Sequence, residues 1–225
     1  MVSRFLAAAV VCAVSALPLS AAKVTDPGSL EEVIRRVQEQ QHKVSTLQAD
    51  FRQEKELALL SKPEVSSGRF VYSKPNNVLW SYDAPKRVQM LITSGTLTTY
   101  YPELKKAERV DVKRFEDRIF KYMGASGAID ELGRYFDFKF TNKPSDPTYL
   151  LDLKPKTGAV AKRVQRIRIW INKSDYLTSK IEYVEGDGDI TRYEFKNIQV
   201  NAPVAQNQFV LSLPAGVRVE QMKLQ

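Results

Sequence analysis

The sequence predicts a mainly β, α+β fold: a strongly curved antiparallel sheet, or partial barrel, with helices laid across its open side. Three observations predict it. Apolar and charged residues alternate with period two through most of the chain beyond Ala49, turn-forming residues interrupt that alternation at short intervals, and helical spacing occurs in only two places.

The N-terminal residues are set apart from this pattern. Arg4 precedes an apolar run from Phe5 to Leu17, and the small residues Ser20, Ala21 and Ala22 follow, so 1–22 reads as a cleaved export signal. The run is too short for a spanning helix, which needs about 20 residues. The only cysteine, Cys12, lies inside it, behind Val10 and Val11, and lacks the small residue that precedes a lipid-modified cysteine. The remainder, 23–225, is expected to be one domain, because no Gly/Ser/Pro-rich linker divides it and its length suits a single β architecture. Without cysteine that domain relies on its core alone, even where disulfides are permitted.

The first helical segment opens at Ser29-x-x-Glu32, a capping box, after which Leu30, Val33, Ile34, Val37, Val44 and Leu47 recur at helical spacing; a helix is expected from Leu30 to Ser45. Ala49, Phe51 and Gln53 then alternate with Asp50, Arg52 and Glu54, the first strand. Strands are expected at Gly68–Tyr72, Val78–Tyr82, Val88–Thr93, Leu97–Tyr101 and Lys106–Val112, separated by Lys74-Pro75-Asn76-Asn77, Ala84-Pro85, Ser94-Gly95 and Tyr101-Pro102. From Arg114 to Arg134 the spacing of Phe115, Ile119, Phe120 and Met123, then Ile129 and Leu132, predicts one or two short helices. Alternation returns at Phe136–Phe140, Tyr149–Lys154, Arg166–Ile171, Ile181–Tyr183, Arg192–Lys196 and Phe209–Leu213. That makes about ten strands, all expected antiparallel, in an up-and-down order around a concave apolar side. Whether a packed core or a cavity fills that side is left open by the pattern.

Composition removes several function classes. His42 is the only histidine and, beyond the leader, there is no cysteine, so thiol nucleophiles, multi-histidine sites and His/Cys zinc clusters are excluded. No G-x-G-x-x-G or Walker-type phosphate loop occurs. Glu185-Gly186-Asp187-Gly188-Asp189 has the look of a calcium loop but lacks the later glutamate, and Asp-Gly between two strands reads first as a hairpin turn. No catalytic residue, metal or cofactor is expected, although a carboxylate pair of the glycosidase kind needs only two acids at a suitable separation and the inventory still permits it. The formal charge is +8, or +7 once Arg4 is set aside, which suits an acidic partner, anionic lipid heads or simple solubility. Nucleic acid is not an expected partner.

Several stretches together resemble a known family. GRFVYSKPNNVLWSYDAP (68–85) followed by LITSGTLTTYYPELKKAE, the upstream LQADFRQEK (47–55) after a helix, and FVLSLPAGVRV (209–219) are similar, in order and spacing, to the periplasmic outer-membrane lipoprotein carrier family, LolA. The resemblance implies an unclosed antiparallel β-barrel covered by a helical lid, with an apolar cavity that shelters acyl chains. It implies lipoprotein cargo, an inner-membrane exporter, an outer-membrane acceptor, a periplasmic location and a monomer. The cavity lining it implies comes from inward positions: Phe51, Phe70, Tyr72, Trp80, Tyr82, Met90, Ile92, Phe138, Ile169, Tyr183 and Phe195. Where family members carry an arginine that latches the lid, this chain has Lys74, which lacks the planar multidentate fork; Arg69 is placed by alternation on the outer face. Two further readings remain: a half-barrel sensor or regulatory domain that binds an envelope protein, and a carrier of glycolipid or another lipid. The basic segment from Lys154 to Arg168 is a candidate docking surface for a membrane or exporter.

Overall fold

The computed structural model describes residues 28–59, 61–83, 85–113 and 128–223. The expected export signal at 1–22, Ala84, and 114–127 of the second expected helical segment lie outside them. The first helix, α1 (Leu30–Lys43), begins as its capping box dictates: Ser29 is extended and its hydroxyl accepts from the Glu32 backbone N–H at 3.2 Å. Glu31 and Glu32 in the first turn and His42 and Lys43 in the last complement the helix dipole. The helix stops two residues short of the expected Ser45 because Val44 is already extended.

Twelve strands follow: β1 Thr46–Glu56, β2 Glu64–Ser73, β3 Asn77–Tyr82, β4 Val88–Thr93, β5 Thr96–Tyr101, β6 Lys106–Asp111, β7 Phe136–Thr141, β8 Thr148–Pro155, β9 Val164–Asn172, β10 Thr178–Glu185, β11 Ile190–Val200 and β12 Arg218–Met222. Two further helices are described, α2 (Ala128–Tyr135) and the single turn α3 (Gly158–Ala161). All the strands join one sheet in the order β12-β6-β5-β4-β3-β2-β1-β11-β10-β9-β8-β7. The first strand therefore lies mid-sheet: one meander runs outward from β1 to β6, the other returns from β7 to β11 and closes onto β1. Strands β12 and β7 remain as free edges, so the barrel is unclosed.

Two expectations are corrected. Phe209–Leu213 alternates like a strand but is not one: Gln206–Phe209 is a 3-10 turn and 210–214 has no regular structure. Phe209 and Leu211, with Val204, pack instead on Val71, Leu79 and Leu91, side chains of the sheet's outer face. Alternation reported that these residues have a buried side without saying against what. Nor is the sheet wholly antiparallel. The crossing of the outer face by this long connection brings β12 alongside β6 in parallel, with Arg218 opposite Lys106 and Met222 opposite Val110.

The concave side holds two cores. Under α1 and α2, Val33 and Val37 pack with Leu132, Phe136, Leu151, Leu153 and Ile171, the helical stripe meeting the inward residues of β7–β9. Beside it, Phe51, Phe70, Tyr72, Val78 and Ile92 form the second. The outer face carries charge in register. Arg166 holds Asp152 through Nε–Oδ1 at 2.7 Å and Nη2–Oδ2 at 2.5 Å, and Arg168 and Arg192 both hold Glu182, at 2.9 and 2.7 Å. Two of the arginines near the end of the basic segment Lys154 to Arg168 are thus committed within the fold. The Glu185–Asp189 run makes the hairpin turn between β10 and β11, closed by Glu185 N–H to Asp189 O at 2.8 Å with Gly188 at φ 96°.

Candidate functional site: an apolar cavity under the first helix

Strand register decides which side chains face inward. Phe51 on β1 stands opposite Gly68 of β2 and Phe195 of β11, and Phe70 stands opposite Trp80 of β3. Gly68 is required here: a Cβ would lie 2.9 Å from the Phe51 ring and 1.9 Å from the Ser81 carbonyl oxygen. In the space this leaves, Phe51 meets Trp80 and Tyr82 edge-on at centroid distances of 4.8 and 4.9 Å, and Trp80 lies 4.8 Å from Phe70 and 5.3 Å from Tyr193. These are the offset and edge geometries that aromatic quadrupoles favour.

Above this floor, toward the C-terminal end of α1, is a small apolar cavity of about 70 Å³, below the range of small-molecule sites, so a larger ligand requires α1 to lift from the sheet. Val37, Gln41 and Val44 form its roof; Leu47 and Ala49 of β1, Phe70 and Tyr72 of β2, and Ile181, Phe195 and Ile198 of β10 and β11 form its floor and wall; the turn at Tyr176, Leu177 and Thr178 closes one side. Phe195 and Ile198 differ in parity yet both face inward, because the β1–β11 pairing shifts register between Gln48 and Asp50, where Asn197 adopts φ 52°. This bulge re-aims the end of the strand.

The roof is tied down at its C-terminus. The Lys74 ammonium donates to the His42 carbonyl at 3.0 Å. Asn201, left-handed at φ 58°, accepts from the Ser45 N–H through Oδ1 at 2.7 Å and donates through Nδ2 to the Lys43 carbonyl at 2.9 Å. Helix ends leave carbonyls without intrahelical partners, and these two side chains supply them. Arg69 faces outward and donates to Gln48 at 2.8 Å.

Of the side chains expected to line a cavity, Phe70, Tyr72 and Phe195 line this one, while Phe51, Trp80 and Tyr82 form the aromatic layer continuous with it. Ile92 belongs to the same core, and Met90 stands opposite Trp80. Phe138 and Ile169 sit in the neighbouring core beneath α1 and α2, away from the cavity. Tyr183 lies farther along the strands, opposite Thr191. Val37, Gln41, Val44, the Tyr176 turn, Ile198 and Asn201 were not among the expected site residues. Only the helical stripe offered a signal for any of them. Burial raises the phenol pKa of Tyr72, and raises those of Tyr82 and Tyr193, which also share a hydrogen-bond contact; all three are neutral donors at physiological pH.

No described helix is long and apolar enough to cross a membrane. The family model described as "Outer membrane lipoprotein carrier protein LolA" matches residues 42–212. Proteins named "Outer-membrane lipoprotein carrier protein" match from Pseudomonas putida (strain GB-1), at 23% identity over 84% of this chain and 88% of theirs, and from Methylococcus capsulatus, at 28% over 77% and 80%. Among solved structures, an uncharacterized conserved protein from Thermus thermophilus aligns with a TM-score of 0.54 at 10% identity, covering 85% of this chain and 98% of that one. MucB aligns with a TM-score of 0.53 at 14% identity, covering 87% and 67%. The structural likenesses establish the fold, and the match across most of the chain establishes more: this protein belongs to the LolA outer membrane lipoprotein carrier protein family.

Proposed function

We propose that the protein shelters the acyl chains of a lipoprotein in the cavity under α1 and carries them across the periplasm, from an inner-membrane exporter to an outer-membrane acceptor. In this reading 1–22 is the export signal and 23–225 a single monomeric carrier domain. The observation that carries the reading is the apolar cavity roofed by α1, about 70 Å³ with the helix seated and backed by an aromatic layer. Acyl chains in water cost roughly 25 cal/mol per Å² of exposed apolar surface, so a carrier must replace that water with apolar lining. It must also release its load, and a roof held at one end by a few exposed hydrogen bonds suits release better than a fully packed core.

The lining supports binding over catalysis. Its polar groups are the Gln41 amide and the hydroxyls of Tyr72, Tyr176 and Thr178, none of them arranged as a nucleophile with its base. Lys74 serves as the latch in this account, with Asn201 as its partner.

Trp80→Glu and Tyr82→Glu place a charge in the aromatic layer and test the assignment. Each folded variant is expected to lose binding of a triacylated lipopeptide that the unaltered protein retains. Undiminished binding by folded variants would remove the cavity from the account. Capture of an envelope protein with no lipid bound would favour the regulatory half-barrel instead.

A further inference from the structure

The inward lining changes character along the strands. On β1, Leu47, Ala49 and Phe51 are followed by Gln53; on β11, the next inward residues beyond Phe195 are Tyr193 and Thr191; on β10, Ile181 is followed by Tyr183. The apolar cavity thus gives way to a belt of neutral hydrogen-bonding groups at the end of the barrel beside the β10–β11 hairpin.

The belt has unspent capacity. Gln53 Nε2 donates to the Tyr193 hydroxyl at 2.6 Å, filling an acceptor position on that oxygen. The Tyr82 and Tyr193 oxygens are 3.5 Å apart, the outer limit of a hydrogen bond, and Tyr183 stands on the neighbouring strand opposite Thr191. The single contact between Tyr82 and Tyr193 engages one of their two protons, and the other remains for a further acceptor. Thr191, fully buried, has a side-chain oxygen with no hydrogen-bond partner among the described residues, where buried hydroxyls ordinarily have one.

We propose that this belt receives the ester carbonyls of a diacylglyceryl ligand whose hydrocarbon chains run back into the cavity under α1. An ester oxygen accepts and does not donate, so it complements the phenol of the Tyr82–Tyr193 pair whose proton is not spent on the other. The donors are neutral and half-buried, a setting that favours a neutral acceptor over a phosphate. The proposal rests on the lipid-carrier reading and adds to it a direction: the chains point toward α1, and the hydrophilic body attached to the glyceryl group leaves beside the β10–β11 hairpin.

Two probes separate this from the parent reading: a diacylglyceryl lipopeptide with ester-linked chains, and its analogue with ether-linked chains of equal length, which lacks the carbonyl oxygens. By calorimetry the purified protein is expected to bind the ester probe about tenfold more tightly. The double variant Tyr82→Phe/Tyr193→Phe keeps both rings and is expected to bind both probes at the ether level. If the unaltered protein binds both probes equally, the belt is overturned and the carrier reading stands; that comparison needs no variant to fold. If the double variant weakens both probes alike, its effect is structural and the belt is again overturned. If the unaltered protein binds neither, the carrier reading falls and the belt with it.

Discussion

The side chain of Lys74, in the turn after β2, lies 3.0 Å from the carbonyl oxygen of His42 in the last turn of α1. A surface side chain thereby holds the C-terminal end of the helix that roofs the cavity. Because the bond is exposed its contribution to global stability is small, below about 1 kcal/mol, but it bears on the local opening of α1. Lys74→Ala is expected to leave the denaturation midpoint nearly unchanged and to speed amide hydrogen exchange in α1 selectively. Uniform exchange across α1 and the sheet would contradict a latch.

Asn201 holds the same end with three side-chain bonds, to Ser45, Thr46 and Lys43, from a left-handed backbone that asparagine tolerates. Asn201→Ala loses all three and strains the backbone, and is expected to cost about 1–2 kcal/mol in urea denaturation. Combined with Lys74→Ala, the exchange effects in α1 should be non-additive, since both act on one helix terminus. Simple additivity would mean that the two hold the helix independently.

The two residues bonded to the end of α1 differ in how far the sequence announced them. Lys74 stood in a recognisable turn between alternating strands, whereas Asn201 follows β11 with no motif around it, and its role comes from a contact 156 residues distant. The same division runs through the site. Phe51, Phe70, Trp80, Tyr82 and Phe195 were legible as inward because a strand with one charged and one apolar face specifies its own orientation. Ile198 was not: the bulge at Asn197 reverses the parity, and nothing in the alternation marks it. Phe209 and Leu211 were legible as buried but not as packing on the outer face, since period two names a buried side and not its partner. Likewise Phe138 and Ile169 face the concave side as expected, yet which of two adjacent cores they join depends on where α1 lies, a tertiary matter.

Acid should weaken one partly buried ion pair, Arg166 with Asp152. The Arg166 guanidinium, hydrogen-bonded to Asp152, holds that carboxyl below its ordinary value of 3.8 despite the opposing effect of burial. The folded state therefore binds this proton less tightly than the unfolded state. The stability the pair contributes is present above about pH 4 and is lost as pH falls through the lowered folded value. Asp152→Asn is expected to be less stable than the unaltered protein at pH 7, by about 1–2 kcal/mol, with the gap narrowing below pH 4. A gap that stays constant down to pH 2 would show that the substitution acts through packing.

The outer-face cover depends on Phe209, which is 6% exposed against Val71 and Leu91. Phe209→Ala is expected to cost about 3 kcal/mol and to open the 203–213 segment to proteolysis before the sheet unfolds. Cleavage that appears only with global unfolding would show that β12 pairing, and not Phe209, secures the segment.

Carriage is put to the test by adding the purified protein to spheroplasts and following newly made, acylated lipoprotein. The lipoprotein is expected in the soluble fraction as a one-to-one complex with this protein, and the Trp80→Glu variant is expected to fail to release it. Lipoprotein that stays wholly with the spheroplast membrane in the presence of the unaltered, folded protein would mean that the protein is not a lipoprotein carrier.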